Sequence, residues 1–118
     1  MKIAGLVVLG SVFLLALAFG QQGPIRVGGN VQQANLTHQV APVYPPDAKR
    51  DRVQGTVRLE VSIDTEGHVK GVGVLEGPPE LVHSAVDAVS KWTYKPTLLN
   101  GQPVEVITTV DVNYTLSQ

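Results

Sequence analysis

Thr56-Val57-Arg58-Leu59-Glu60-Val61-Ser62-Ile63-Asp64 alternates apolar and polar residues without a break. Val57, Leu59, Val61 and Ile63 share one face and the polar residues the other, the two-residue period of a strand buried on one side. Asp64-Thr65-Glu66-Gly67-His68 follows as a hairpin turn in which Gly67 is free to take positive φ. Residues 69–75 return antiparallel with Val72 and Val74 toward the core, while Gly71 and Gly73 leave the other face bare. A hairpin with one apolar face needs a cover, and the next stretch supplies it. Gly77-Pro78-Pro79-Glu80 opens a helix that runs to about Trp92, with Leu81, Val82, Ala85, Val86, Val89 and Trp92 as one apolar stripe. His83, Ser84, Asp87, Ser90 and Lys91 fill the opposite face.

Toward the C-terminus, Asn100-Gly101-Gln102-Pro103 turns the chain into a last strand over residues 104–116. Val104, Val106, Thr108, Val110, Val112, Tyr114 and Leu116 point one way; Glu105, Thr109, Asp111 and Asn113 point the other, and Ile107 interrupts that polar face. Such a strand is longer than the usual ~5–6 residues, so its neighbours are expected to leave part of its length unpaired. An unpaired strand is a binding opportunity or an aggregation hazard.

Toward the N-terminus, Pro45-Pro46 cannot sit in a central strand but suits the first turn of a helix, and residues 46–50 read as one short helical turn. The mixed charges of Asp47, Lys49, Arg50, Asp51 and Arg52 read as a solvated turn, or more sharply as a contact for an acidic peptide or the cell wall. Residues 21–38, with Gln21-Gln22-Gly23-Pro24 and Gly28-Gly29-Asn30, read as a flexible polar linker. Leu36, His38 and Val40 alternate, consistent with a short edge strand over 35–41. Lys2 before an apolar run from Ile3 to Phe19, closed by small residues, makes residues 1–20 a secretory signal peptide or an N-terminal membrane anchor. As a helix that run spans about 26 Å against a hydrocarbon layer of about 30 Å, so both readings stand, and in either the domain is exported.

The 118 residues suffice for one small domain plus an extension. Nine basic and ten acidic residues give a net charge of −1, without the basic excess that phosphate contacts need, so nucleic acid is not expected as a partner. The absence of cysteine excludes disulfides and thiolate catalysis. His83 and Asp87 are spaced to share a metal ion, but a third ligand would have to come from distant His68 or His38, and no metal is expected. Ser84 beside His83 and Asp87 has the letters of a catalytic triad, yet adjacent helical residues point about 100° apart. No phosphate loop or nucleophile elbow occurs, so neither an enzyme nor a cofactor is expected. Trp92 is expected to close the core, with Tyr94 either core or recognition surface.

Several of these signals recur together in a known order. Pro42-x-Tyr44-Pro45-x-x-Ala48 precedes Gly55-x-Val57 and the alternating strand; Glu66-Gly67 marks the hairpin; Trp92-x-Tyr94-x-Pro96 ends the helix, and Asn100-Gly101-Gln102-Pro103-Val104 leads into the last strand. Over roughly residues 39–116 this pattern resembles the C-terminal domain of TonB-type energy transducers, which makes residues 39–118 the domain. The resemblance implies an α+β two-layer sandwich: a three-stranded antiparallel sheet, four-stranded if residues 35–41 join it, with two helices on one face. It implies binding rather than catalysis. The partner would be an extended segment of an outer-membrane TonB-dependent receptor, added to a sheet edge so that main-chain hydrogen bonds give affinity and side-chain pockets give specificity. On this chain the implied partner-binding residues are Tyr44 and Pro45 with Val104, Val106, Ile107, Thr109, Asp111 and Asn113. Inner-membrane proton-driven motor proteins are the transducers' further partners, and the last strand is also open to pairing in a homodimer. The location implied is the periplasm or cell envelope.

The chain departs from the transducer pattern in four places. It has no long Pro-rich linker; residues 21–40 reach at most about 70 Å when extended. Its apolar segment has no histidine, Ala41 stands where glutamine is common, and Glu76-Gly77-Pro78-Pro79 replaces the usual Ser-Gly. Two readings therefore stand: a transport protein that binds receptor segments, or a stand-alone periplasmic adaptor without energy coupling.

Overall fold

The computed structural model describes residues 23–117; the signal or anchor expected over 1–20 lies outside the described residues. The elements are β1 (Ile25–Arg26), α1 (Gly29–Gln33), β2 (Leu36–His38), α2 (Pro46–Arg50), β3 (Gly55–Ile63), β4 (Val69–Glu76), α3 (Pro79–Val89), β5 (Thr93–Tyr94), β6 (Thr97–Leu99), β7 (Gln102–Val104) and β8 (Val106–Tyr114). The main sheet has the order β1-β8-β3-β4. The fold is the expected α+β unit, extended by one very short strand.

β3 is the central strand because it is the one with a continuous two-residue period. Val57, Leu59, Val61 and Ile63 are buried on one face, under Leu81, Ala85 and Val89 of α3 and Ala48 of α2. Burying side chains of this size stabilises the domain by roughly 1.5–3 kcal/mol each, which makes this layer the main source of stability. β4 pairs along one side of β3, with bulges between Arg58 and Leu59 and between Ser62 and Ile63. Val72 packs against the core, but Val74, expected inward, is about half exposed: β4 is the outermost strand. α3 ends at Val89, and Trp92 closes the core just beyond it, its Nε1 donating to the Val40 carbonyl at 2.9 Å.

The last strand differs from expectation in a way that bears on the site. Asn100 and Gly101 both adopt positive φ, 53° and 80°, and form a tight two-residue turn of their own between β6 and β7. Gln102 and Pro103 thus belong to a strand, and Val104 pairs with Thr97 rather than opening the long strand. β8 begins at Val106 and ends at Tyr114, and β3 pairs with all nine of its residues, from Ile63 with Val106 to Gly55 with Tyr114. What remains open is a side of β8, not a length of it.

The segment read as a polar linker carries three ordered elements. β1 runs parallel to β8, with Ile25 opposite Val106 and Arg26 opposite Ile107. α1 follows directly, and β2 pairs antiparallel with β5 in a separate small sheet, so residues 35–41 do not add to the main one. Gly29, read as a loop residue, is fixed by packing: a Cβ there would stand 2.5 Å from the Thr109 carbonyl oxygen.

Tyr94, left open between core and surface, is buried, and burial pushes its phenol up to about 12 from 10.0. Above pH 10 the unfolded chain therefore holds fewer protons than the folded one, and stability falls as pH rises from about 10 toward 12. Melting curves across that range should show a decline that Tyr94→Phe makes shallower. A decline of the same steepness in the variant would assign the effect elsewhere.

Candidate functional site

The outer side of β8 is set by strand parity. Ile25 N–H donates to the Glu105 carbonyl at 2.9 Å and Val27 N–H to the Ile107 carbonyl at 3.0 Å. Because backbone groups alternate sides every second residue, Thr109, Asp111 and Asn113 also turn their N–H and C=O outward, while Thr108, Val110 and Val112 turn theirs to β3. β1 pairs only as far as Ile107, and among the described residues no strand meets Thr109, Asp111 or Asn113 on that side. A groove of about 610 Å³ runs along this edge, lined among others by Gly29, Gln32, Thr109, Asp111 and Asn113.

The side chains of Asp111 and Asn113 are tied back across the sheet, away from the edge. Asp111 accepts two bonds from Arg58, Nε to Oδ1 at 2.9 Å and Nη2 to Oδ2 at 3.2 Å, and Arg58 also reaches Glu76 at 3.1 Å. The bond from Arg58 holds the Asp111 carboxyl below its ordinary range. Asn113 Oδ1 accepts from the Thr56 hydroxyl at 2.6 Å. The side chains of Asp111 and Asn113 are thus held in place while their main chain faces the open side. Such an edge offers regularly spaced donors and acceptors and little else; it is suited to pair another backbone.

The Pro-x-Tyr-Pro motif sits at the far end of the same strand. The Tyr44 ring meets the Tyr114 ring edge-on, with centroids 5.4 Å apart and planes at 89°. Its hydroxyl donates to the Val53 carbonyl. Ser84 joins this corner, donating to the Val43 carbonyl at 2.5 Å and lying 2.8 Å from the Tyr114 hydroxyl. Val43, 76% exposed, and Pro45 border a shallow cleft of about 270 Å³ with Glu80, His83, Ser84 and Asp87.

Of the residues expected to bind a partner, Ile107, Thr109, Asp111 and Asn113 lie together on the outer side of β8, with Ile107 already paired to β1. Val104 does not join them: it lies in β7 and is buried. Val106 is in β8, but its side chain is buried in the core, where only packing uses it. Tyr44 and Pro45 stand at the Tyr114 end, Tyr44 already committed to internal contacts. Sequence reasoning missed Gly29 and Gln32, which line the groove; a glycine pair followed by amides carries no periodic signal. It also missed Ser84 as a pin between α3, the Pro-x-Tyr loop and β8.

The carboxylate and imidazole groups that come together are not the pair singled out on α3. Asp64, Glu66 and His68 place one donor atom each within 4.8 Å of one another. Asp64 Oδ1 accepts the N–H groups of Glu66 and His68, both at 2.9 Å, and the His68 bond is the main reason its carboxyl lies below the ordinary range. The cluster is accounted for by the hairpin turn it builds.

The profile of a family described as Gram-negative bacterial TonB protein C-terminal matches residues 40–116. Among curated relatives, Protein TonB of Xanthomonas campestris pv. campestris strain B100 is 38% identical over 78 residues, covering 64% of this chain and 35% of the relative. Protein TonB of Vibrio cholerae is 34% identical over 73 residues, 60% of this chain and 30% of the relative. The chain therefore spans about a third of the length of these relatives. Among solved structures, the TonB2 protein of Vibrio anguillarum superposes with a TM-score of 0.55 at 33% identity, over 85% of this chain and 92% of that one. The solution structure of the Pseudomonas aeruginosa TonB C-terminal domain superposes with a TM-score of 0.60 at 24% identity, over 70% of this chain and 86% of that one, and shares the fold.

Proposed function

Because this chain belongs to the family of Gram-negative bacterial TonB C-terminal domains, we propose that it serves TonB-dependent transport by capturing extended receptor segments. The partner is the extended N-terminal segment of an outer-membrane receptor, and the place of capture is the periplasmic face of the cell envelope. The segment adds as a strand along the outer side of β8, at Thr109, Asp111 and Asn113. The observation that carries this reading is the run of outward N–H and C=O groups on those residues, which no strand pairs among the described residues. Main-chain pairing supplies affinity without a preformed apolar pocket, and the Val43–Pro45 cleft beside Tyr114 supplies a contact for a side chain of the captured segment. The chemistry asked of the protein is binding, and no catalytic group takes part.

Calorimetric titration with synthetic peptides copied from the N-terminal segments of TonB-dependent receptors tests the reading. Saturable one-to-one binding is expected, with an affinity that drops when alternate peptide residues are N-methylated, since that removes the donors an added strand needs. Binding indifferent to N-methylation would rule out strand addition.

A further inference from the structure

Residues 25–33 lie where an added strand would have to lie. Ile25 and Val27 occupy the carbonyls of Glu105 and Ile107, and Arg26 stands in register with Ile107. The chain then turns at Gly28 into α1, whose Gly29 backs directly onto the Thr109 carbonyl. Of the outward-facing positions from Glu105 along β8, Glu105 and Ile107 are thus taken and Thr109 is shielded, which leaves Asp111 and Asn113 as the accessible end. We propose that residues 25–33 form a displaceable strap, a built-in competitor that an incoming extended segment must peel from β8. The inference rests on the edge-capture reading above and adds to it a regulatory contact within the chain.

Ile25 and Val27 pack against the edge of the core and Arg26 reaches Glu60 at 3.2 Å, an exposed pair worth little, but the rest of the segment's hold is shallow. Its pairing is two residues long and parallel, the weaker of the two ladder types. α1 is a single short turn whose cap residue, Gly28, has no side chain with which to cap it. Its two central side chains are also inverted: Val31 is 64% exposed, whereas Gln32 is 1% exposed. Neither Oε1 nor Nε2 of Gln32 has a hydrogen-bond partner among the described residues, and Thr108 Oγ1 in the same groove is likewise buried without one. Burying an unpaired amide opposes docking, so Gln32 offsets part of what the ladder bonds and the packing of Ile25 and Val27 contribute.

Partner entry then has a direction. A segment first pairs with Asp111 and Asn113, reaches Thr109 as α1 lifts, and replaces β1 on Ile107 and Glu105. Gly28 and Gly29 give the strap the backbone freedom to swing away.

Two measurements test this, one with no partner present. In native-state hydrogen exchange, the amides of Ile25 and Val27 should exchange by local opening, at least a hundredfold faster than those of Val57 and Val61 in β3. Equal protection would make β1 a permanent strand and overturn the strap. The second uses Arg26→Cys with Ile107→Cys. These residues are register neighbours, close enough for a disulfide, and the chain has no other cysteine. Oxidation should lower the affinity for a synthetic receptor peptide at least tenfold, and reduction should restore it. Conversely, Ile25→Pro with Val27→Pro removes both donors of the strap and should raise affinity about tenfold, the scale expected when a competitor loses two ordinary hydrogen bonds. Gln32→Leu should act in the opposite sense, slowing exchange at Ile25 and Val27. Equal affinity of the oxidised and reduced forms would overturn the proposal. Fast exchange at Ile25 and Val27 with no peptide bound in any form would keep the strap and remove the receptor reading instead.

Discussion

Gly67→Ala should cost the folded domain about 3–5 kcal/mol, a large share of the ~5–15 kcal/mol that holds a small domain together. Gly67 sits at φ 94°, where a side chain is strained whatever the space around it. Here there is also no space. A Cβ would stand 1.9 Å from the Tyr94 carbonyl oxygen and 2.9 Å from its carbon, and both are backbone atoms that cannot rotate away. The Gly67 carbonyl meanwhile accepts the Tyr94 N–H at 2.8 Å, so pushing the strands apart breaks the bond that ties the β3–β4 turn to β5. Strain, overlap and a lost hydrogen bond act together, and thermal unfolding followed by circular dichroism should drop by at least about 10 °C. Gly101→Ala is the control. Its φ is also positive, 80°, but nothing lies within 4 Å of the added carbon, so it should cost only about 1 kcal/mol. Similar losses for the two variants would show that the close approach to Tyr94 is not what makes Gly67 necessary.

The second large effect falls on binding. Asp111→Pro should leave the domain folded and weaken receptor-peptide binding more than tenfold. The Asp111 N–H points to the open side, so proline there removes no bond to β3, and edge positions of this kind tolerate it. The lost pairing with Arg58 is solvent-exposed and costs on the order of 0.2–1 kcal/mol. What the variant loses is an outward donor, and it gains a ring projecting into the path of an added strand. Val110→Pro, one residue away, should behave in the opposite manner. Its N–H serves the β3–β8 ladder, and proline there should destabilise the sheet by about 3 kcal/mol or more. Calorimetry with a receptor peptide, beside melting curves of both variants, reads the contrast. Unchanged affinity in Asp111→Pro would separate binding from this edge.

The parts of the fold legible in the sequence are those where a period has room to repeat. Nine alternating residues identify β3, and the stripe from Leu81 to Trp92 identifies α3, because burial on one face leaves a pattern that long elements record. β1 has two residues and α1 five; neither is long enough to display a period, and each is held by what it docks on. The same reasoning explains the misplaced start of the last strand. The alternation of Val104 with Val106 continues across Glu105, although the chain changes partners there, from β6 to β3. A sequence records which residues are buried more readily than what buries them.

The site was legible in the same uneven way. The outward residues Thr109, Asp111 and Asn113 follow from parity alone, since they alternate with the buried Thr108 and Val112. That the opening is a side of a fully paired strand follows only from the register with β3. The inverted pair Val31 and Gln32 points the other way, because hydrophobicity predicts Val31 inside and the packing puts Gln32 there.

The most direct measurement is the response of individual β8 amides when a receptor peptide is titrated in. Hydrogen exchange or amide shifts read each residue separately. Strand addition predicts that Asp111 and Asn113, then Thr109, gain protection on binding, while Val110 and Val112, already bonded to β3, change little. Binding that leaves Thr109, Asp111 and Asn113 unprotected would contradict capture at the outer edge of β8.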